Sequence, residues 1–288
     1  MRLIVILILT FGVSIAAVAC GGDDGGGGEA AGAGMKQVVA AFYPLAFAAA
    51  EIGGAGVDVK NLTPPGAEPH DLEVSPRDVA DVRDADLVVL LGHGFQPQLE
   101  DAVGDGDNVV RLLDTPGLEV HSNNDPHVWL DPVRYAKVVD RIGQALGKQS
   151  AADNLEKRLM DLDSEFRAVL ANCERKEIVT SHEAFAYLAE RYGLEQVAIT
   201  GLSPEAEPEP GKLQDVVNLV RARGVTTIYF ETLVSPRIAE TVARETGAKT
   251  AVLNPIEGLT EEQAANGEDY FSLMRMNLAA LRAGLGCS

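Results

Sequence analysis

The chain has few cations relative to its 288 residues. It carries 24 lysines and arginines against 43 aspartates and glutamates, a formal charge of −19 at pH 7. This deficit argues against binding to nucleic acid or to an anionic membrane surface, and it suits an extracytoplasmic protein or one that attracts cations. The apolar fraction of 46% is enough for real hydrophobic cores. The length suits two modest domains or one large one.

Cysteine is also scarce. The three cysteines form neither a Cys-x-x-Cys motif nor a Cys/His cluster, which argues against a cysteine-based metal site. Cys20 directly follows "AAVA", as in a bacterial lipoprotein signal. Cys173 and Cys287 remain, and in an oxidising compartment we expect them to pair. The alternative is that both stay free.

The N-terminal apolar run is too short and wrongly flanked for a stable membrane span. Arg2, the apolar residues 3–13 and the small residues that follow predict a lipoprotein signal peptide at 1–19, with lipid on Cys20. Ala17 stands where Leu or Val is more common, and an ordinary secretory signal is the alternative. The Gly-rich composition of residues 20–35 predicts a flexible, lipid-anchored tether. We therefore expect an extracytoplasmic protein anchored to the cell membrane.

From residue 36 onward, apolar strand-like segments alternate with helix-favouring segments. This pattern predicts an α/β fold with mostly parallel sheets covered on both faces. Ser75–Pro76 is a helix start signal. Residues 132–171 favour helix throughout, with apolar residues at helical spacing, although Gly143, Gly147 and Ser150 can break the helix in two. The prediction is two α/β domains at 36–131 and 172–288, each with about four strands, joined by a long rigid linker helix at 132–171.

Three of the five histidines lie where a strand or loop meets a helix: His70, His127 and His182. Ligands of open α/β sheets bind outside the carboxyl ends of the strands, so these residues can converge on a cleft. Neutral imidazole is a common metal ligand, and Pro69 and Pro126 stiffen two of the approaches. The alternative is that each histidine caps a helix or bonds a loop.

A carboxylate would complete such a metal site. Glu231 and Glu257 both follow predicted strands, so the residue pattern leaves the choice between them open. His121, six residues before His127, is either a solvent-facing residue or an accessory metal-collecting one. Trp129, the single tryptophan, is expected in the core.

Four segments carry a resemblance: GAEPHDLEVSPRD, DPHVWLDP, SHEAFAYLAERYGL and FETLVSPRIAETVARETGA. They look like the signatures of the metal-binding lipoproteins of bacterial ATP-binding-cassette importers, in the zinc/manganese cluster A-I. The resemblance covers residues 36–286. It implies two four-stranded α/β domains joined by one rigid helix, with the metal in the cleft. It also implies that the three histidine ligands are His70, His127 and His182.

The fourth ligand is where the chain departs from the family pattern. The family places a carboxylate after the last strand of the C-terminal half, often Asp before Pro-Leu. Here the text reads LNPIEGLT, with Asn254 at the Asp position. We choose Glu257, as in zinc-binding members that use Glu, and keep Glu231 as the alternative ligand or as a hydrogen-bond partner of a ligand. The long His-rich loop of many zinc members is reduced here to His121.

Retention of His182, where manganese members typically have a carboxylate, favours Zn²⁺, which suits four-coordinate sites of imidazole and carboxylate. The expected function is Zn²⁺ capture in the cleft and delivery to an ABC permease with its ATPase subunit, by a monomer. The alternatives are a manganese-specific protein of the same family and a metal-dependent adhesin or storage lipoprotein. A zinc hydrolase is disfavoured because the HExxH motif is absent and a fourth carboxylate would close the site.

Overall fold

A computed structural model describes residues 34–121, 123–209 and 211–288. The predicted signal peptide at 1–19, the predicted lipidation site Cys20 and nearly all of the predicted tether at 20–35 lie outside these ranges. Within the ranges, no helix combines the length and the apolarity needed to cross a bilayer.

The first half of the chain builds a four-stranded parallel sheet with the strand order β2-β1-β3-β4. Val38 of β1 pairs with Val59 on one side and with Leu87 on the other. β3 is buried along its whole length, as expected of a central strand covered on both faces. The elements of this half are β1 (Lys36–Ala40), α1 (Tyr43–Gly53), β2 (Val57–Asn61), α2 (Pro76–Asp84), β3 (Leu87–Leu90), α3 (Pro97–Val103) and β4 (Val109–Arg111).

The helix start predicted at Ser75–Pro76 is confirmed. α2 begins at Pro76, and the Ser75 hydroxyl accepts a hydrogen bond from the backbone N–H of Asp78. The Asp78 carboxylate in turn accepts one from the backbone N–H of Ser75. This reciprocal capping satisfies two N–H groups that would otherwise lack a partner.

The predicted helical stretch forms two helices that pack along each other, α4 (Pro132–Leu146) and α5 (Gln149–Leu170). The Asp131 side chain caps α4 by accepting from the N–H groups of Val133 and Arg134. Gly147, at φ 67°, ends α4, so the break that the glycines allow is present there. α5, with 22 residues, is the long helix that leads into the second sheet.

The second half repeats the topology of the first. Its parallel sheet has the order β6-β5-β7-β8, and Val179 of the central strand β5 pairs with Val197 and Ile228. Two four-stranded parallel sheets flanked by helices confirm the predicted fold class. The elements are β5 (Glu177–Thr180), α6 (Ala186–Tyr192), β6 (Glu195–Ala198), α7 (Lys212–Arg223), β7 (Thr227–Phe230), α8 (Arg237–Thr246), β8 (Lys249–Val252), α9 (Glu261–Ala265) and α10 (Tyr270–Leu285).

The main hydrophobic core includes residues of both halves. Trp129 lies in it, 1% exposed, with its ring edge-on to Phe42 at 4.9 Å between centroids. The Tyr270 hydroxyl of α10 donates to the Trp129 carbonyl oxygen at 2.6 Å. The predicted core position of Trp129 is confirmed, and the continuity of the core ties the two halves together.

Cys173 and Cys287 form a disulfide across a sequence separation of 114 residues. Cys173 follows the end of α5, and Cys287 follows the end of α10. The bond therefore fastens the C-terminal helix to the start of the second half, as the predicted pairing requires.

Candidate metal centre

Three imidazoles and one carboxylate meet between the two sheets. One potential ligand atom from each of His70, His127, His182 and Glu257 lies within 4.8 Å of the others. His70 comes from the loop after β2, His127 from the segment before α4, and His182 from the loop after β5. Glu257 comes from the loop after β8. The first two belong to one half and the last two to the other.

The Oε1 atom of Glu257 is the centre of the cluster. It lies 3.2 Å from Nε2 of His70, 2.9 Å from Nε2 of His127 and 3.5 Å from Nε2 of His182. The other oxygen, Oε2, is buried and has no hydrogen-bond partner among the described residues. Four convergent donor atoms with lone pairs are the arrangement that a small divalent cation requires.

The loop that carries His70 is held on both sides. Gln96 donates its side-chain N–H to the Pro69 carbonyl oxygen at 3.1 Å, and the Phe95 ring lies edge-on to the imidazole at 4.7 Å. Gly66 donates its backbone N–H to the Leu259 carbonyl oxygen at 2.8 Å, two residues after Glu257. The His70 loop of one half thus bonds the Glu257 loop of the other.

His127 is oriented by Asp125. The Oδ1 atom of Asp125 lies 2.7 Å from Nδ1 of His127 and also accepts the His127 backbone N–H at 3.0 Å. Both side chains are fully buried. With Nδ1 directed to the carboxylate, Nε2 faces the cluster, which is the usual pairing behind a metal-bound histidine.

His182 is oriented in the same way by Glu231. The Oε1 atom of Glu231 lies 2.5 Å from Nδ1 of His182, on the side of the ring away from the cluster. The His182 carbonyl oxygen accepts from the Thr180 hydroxyl at 2.8 Å and from the Gln196 amide at 3.1 Å. Glu231 therefore contacts a candidate ligand and is not itself part of the cluster.

A local turn presents Glu257. The Asn254 side-chain oxygen accepts the Ile256 backbone N–H at 2.7 Å, and Asn277 of α10 bonds both the N–H and the carbonyl oxygen of Asn254. Ile256 has φ 57°, a left-handed conformation that is strained for a β-branched residue. Such strain is concentrated at functional sites, where surrounding contacts hold it in place. Asn254 is therefore a turn former here.

Buried charges in the cluster shift one another's pKa. Burial alone would raise the pKa of Glu257, but the imidazoles of His127, His182 and His70 lower it well below its usual range. Burial would lower the pKa of His182, but the attraction and hydrogen bond of Glu231 and the bond to Glu257 raise it to about 10. The pKa of His127 is also raised, since Asp125 and Glu257 outweigh its burial. The site is therefore built to hold positive charge beside a permanent carboxylate.

Glu68 is a neighbour of the cluster that our sequence reasoning missed. Burial and the repulsion of Glu257 raise its pKa to about 8. Its Oε1 atom accepts the His70 backbone N–H at 3.2 Å, just as Asp125 accepts that of His127. The same acid-Pro-His sequence occurs at 68–70 and at 125–127, and this repeat is the signal that could have identified both carboxylates.

The remaining two histidines lie outside the cluster. His121 packs its ring on Tyr187 at 4.0 Å and lies 3.2 Å from the Glu190 carboxylate. His93, with φ 59°, lies 2.9 Å from the Asp114 carboxylate. Neither belongs to the group of ligand atoms around Glu257.

Access to the cluster is from one side. The His70 side chain is 12% exposed, whereas those of His127, His182 and Glu257 are fully buried. Solvent and ions therefore meet the imidazole of His70 before the other three groups.

Several known proteins are similar to this chain. The family model ZnuA, described as the periplasmic zinc-uptake complex component A, matches residues 38–284. The high-affinity zinc uptake system protein ZnuA of Bacillus subtilis is 36% identical over 298 aligned residues, which cover 93% of each chain. Zinc-binding AdcA proteins of Streptococcus pyogenes are longer, and the chain spans 56% of their length.

Solved structures agree. The Zn(II)-bound ZnuA-like domain of Streptococcus pneumoniae AdcA aligns with a TM-score of 0.75 and 36% identity, over 88% of this chain and 99% of that domain. The laminin-binding protein Lmb of Streptococcus agalactiae aligns with a TM-score of 0.79 and 32% identity, over 87% of this chain and 99% of the other. Lmb is described as a bifunctional protein with adhesin and metal transporting activity.

Proposed function

The chain belongs to the ZnuA family of periplasmic zinc-uptake components, and from that premise we propose that it captures Zn²⁺ and delivers it for import. The ligands are His70, His127, His182 and Glu257. The observation that carries this proposal is the convergence of four donor atoms within 4.8 Å. Zn²⁺ is here the transported ion rather than a resident cofactor.

The donor set supports zinc over manganese. Three imidazole nitrogens and one carboxylate oxygen match the tetrahedral, nitrogen-rich coordination that Zn²⁺ takes, whereas Mn²⁺ prefers oxygen. Glu231 bonds Nδ1 of His182 and so keeps Nε2 available, which is why we place Glu231 behind the ligands. A manganese-specific role is the competing assignment.

Delivery requires partners that the chain itself does not contain. We assign it to the extracytoplasmic side, anchored by lipid on Cys20, where it hands Zn²⁺ to an ABC permease driven by an ATPase subunit. We take the binding unit to be a monomer whose domains span 36–131 and 172–288, linked by 132–171. The shared core supports a small closure of the cleft rather than a wide swing. His121 would at most collect metal transiently, because it lies outside the cluster.

A binding role is favoured over a hydrolytic one by the fourth donor. Catalytic zinc sites use three protein ligands and leave one position for water, whereas Glu257 would fill that position. We therefore assign no enzymatic activity to the chain. An adhesin role alongside transport is a second candidate, favoured by the likeness to Lmb.

The test is zinc titration of the purified full-length chain in detergent. The wild type should bind one Zn²⁺, and more tightly than it binds Mn²⁺. The variants His70→Ala, His127→Ala and His182→Ala should each bind far more weakly, while His93→Ala, a histidine outside the cluster, serves as the matched control. Cells lacking the chain should grow poorly under zinc chelation, and His127→Ala should not restore growth. If the purified chain binds Zn²⁺ but cells lacking it still grow well under zinc chelation, the result would argue for adhesion or storage instead.

A further inference from the structure

We infer that Tyr187 is a positioning residue for the zinc site, because its hydroxyl fixes the segment whose Asp125 carboxylate orients His127. This inference rests on the proposed function, since it concerns the same site. Tyr187 belongs to α6 in the second half of the chain, whereas Asp125 and His127 belong to the first. The contact therefore joins a ligand segment of one half to a helix of the other.

The Tyr187 hydroxyl makes two hydrogen bonds to that segment. It donates to the Asp125 carbonyl oxygen at 2.8 Å and accepts the His121 backbone N–H at 2.9 Å. Tyr187 itself is fully buried. Both bonds therefore satisfy main-chain groups, one buried and one partly buried, that would otherwise need another partner.

The Tyr187 ring also makes contacts with the first half of the chain. The His121 ring stacks on it at 4.0 Å with an angle of 21° between the planes. The Arg134 guanidinium carbon lies 4.8 Å from the ring centroid. Arg134 and His121 both approach the same oxygen of Glu190, at 2.9 and 3.2 Å, and Glu190 is one turn after Tyr187 on α6. Helix α6 thus contacts the segment of His121 and Asp125 through the Tyr187 side chain and through the Glu190 carboxylate.

The position of the Asp125 carboxylate depends on the contacts of Tyr187. Its Oδ1 atom serves His127 twice, but its Oδ2 atom is buried and has no hydrogen-bond partner among the described residues. The Nδ1 atom of His121 lies 3.8 Å from this oxygen, beyond hydrogen-bond distance. The carboxylate is therefore positioned through its own backbone, and Tyr187 bonds that backbone at the Asp125 carbonyl.

A consequence for zinc binding follows from the helix that carries Tyr187. His182 lies five residues before Tyr187, at the entrance to α6. Tyr187 therefore links the segment of His127 to the segment of His182 by a route that does not pass through Glu257. Such a link sets the spacing of two imidazoles before the ion arrives, which lowers the cost of ordering the site.

The test compares Tyr187→Phe with Tyr192→Phe in the full-length protein. Tyr192 ends the same helix, but its ring stacks on Phe166 of α5 at 5.1 Å. Three quantities are measured: Zn²⁺ affinity by chelator competition, the visible absorption spectrum of the Co²⁺-substituted site, and the melting temperature without metal. Tyr187→Phe should bind Zn²⁺ roughly 10- to 100-fold more weakly, the range for groups that orient a metal ligand. Its Co²⁺ bands should shift, while Tyr192→Phe should match the wild type in affinity and spectrum.

Coupling through Asp125 distinguishes positioning from general stability. Asp125→Ala should weaken binding by itself, and adding Tyr187→Phe to it should cost little more, because the two act on the same imidazole. Fully additive losses, or wild-type affinity and Co²⁺ spectrum in Tyr187→Phe, would overturn the inference while leaving the proposed function intact. Failure of the wild type to bind Zn²⁺ would overturn the proposed function.

A second variant keeps the test informative if Tyr187→Phe does not fold. Arg134→Met removes the cation from the Tyr187 ring together with the bonds of Arg134 to Asp131 and Glu190, and it leaves both hydroxyl bonds of Tyr187 in place. It should weaken zinc binding by roughly 2- to 5-fold, the size of a lost cation–π contact. A loss of more than about 10-fold in this variant would count against the inference, because the hydroxyl bonds that carry it remain in place.

Discussion

The indole N–H of Trp129 donates a 2.7 Å hydrogen bond to the carbonyl oxygen of Pro255. Trp129 is two residues after His127, and Pro255 is two residues before Glu257. The bond therefore joins two segments that each present a candidate ligand, one from each half of the chain. It accounts for the placement of the single tryptophan beside the site, since indole combines a large apolar ring with one donor.

Replacing Trp129 should weaken both the fold and the site. Trp129→Phe leaves the Pro255 carbonyl oxygen without its donor and opens space in the core, which should lower the free energy of unfolding by about 2–3 kcal/mol. Zinc affinity should fall as well. Urea unfolding followed by circular dichroism measures the first effect, and chelator competition the second.

Tyr135→Phe is the matched control for Trp129. The Tyr135 hydroxyl donates to the Pro44 carbonyl oxygen at 2.5 Å, which is also a buried bond between side chain and main chain but does not reach a ligand segment. This variant should lose stability by about 1 kcal/mol and keep its zinc affinity. Equal effects of the two variants on zinc binding would show that the Trp129–Pro255 bond has no special role in the site.

Substitutions of Glu257 and Glu231 should weaken zinc binding to different extents. Glu257→Gln removes the charge at the centre of three imidazoles and should weaken zinc binding by more than about 100-fold, beyond the effect of losing a group that orients a ligand. Glu231→Gln keeps an oxygen that can accept from Nδ1 of His182, so the loss should stay within roughly 10- to 100-fold. Titration of both variants against the same chelator gives the comparison, and the reverse ranking would exchange their roles.

Zinc binding should release protons at neutral pH. In the metal-free protein the pKa of His182 is raised to about 10, so its imidazole is protonated at pH 7.5. Zn²⁺ must displace that proton, and apparent affinity should rise about tenfold per pH unit for each proton released, until pH reaches the raised pKa. Calorimetric titration in two buffers of different ionisation enthalpy measures the number of protons.

The raised pKa of His182 also makes the stability of the metal-free fold depend on pH. The pKa of His182 is higher in the folded protein than in the unfolded chain, so protonated His182 stabilises the fold. This stabilisation is fully present below about pH 6.5 and is lost as the pH rises through about 10. Glu231→Gln removes the main group that raises the pKa of His182, so it should reduce both this dependence and the proton release. A binding enthalpy that is identical in both buffers would contradict the protonated His182.

Breaking the disulfide should affect stability without affecting the site. Cys287→Ser frees the C-terminal helix from Cys173 and should lower the free energy of unfolding by roughly 2–5 kcal/mol. Zinc affinity should stay close to that of the wild type, because neither cysteine contacts the cluster. Urea unfolding with and without reductant is the measurement, and reductant should destabilise the wild type but not Cys287→Ser.

Much of the architecture could be predicted from local pattern. Buried apolar strands such as Leu87–Leu90 and start signals such as Ser75–Pro76 act within a few residues, so their structural meaning survives in the sequence. The break at Gly147 was harder to place, since Gly143 lies in the same stretch. Gly143 lies inside α4, where a Cβ would come within 2.4 Å of the Cβ of Ala152 on α5, so the glycine serves the close packing of the two helices.

By itself, the sequence determined the element types and placed three histidines at strand and loop ends, and it indicated the two cysteines that pair. These depend on short-range rules and on a topology that brings the carboxyl ends of parallel strands together. The residue pattern alone left the choice between the two glutamates open, and the tertiary structure shows which of them lies among the histidines. Both follow a strand, but the Asn254 turn brings Glu257 to three Nε2 atoms, while Glu231 meets the far nitrogen of His182. A difference of a few ångströms between residues far apart in the chain is set by packing and leaves no trace in local sequence.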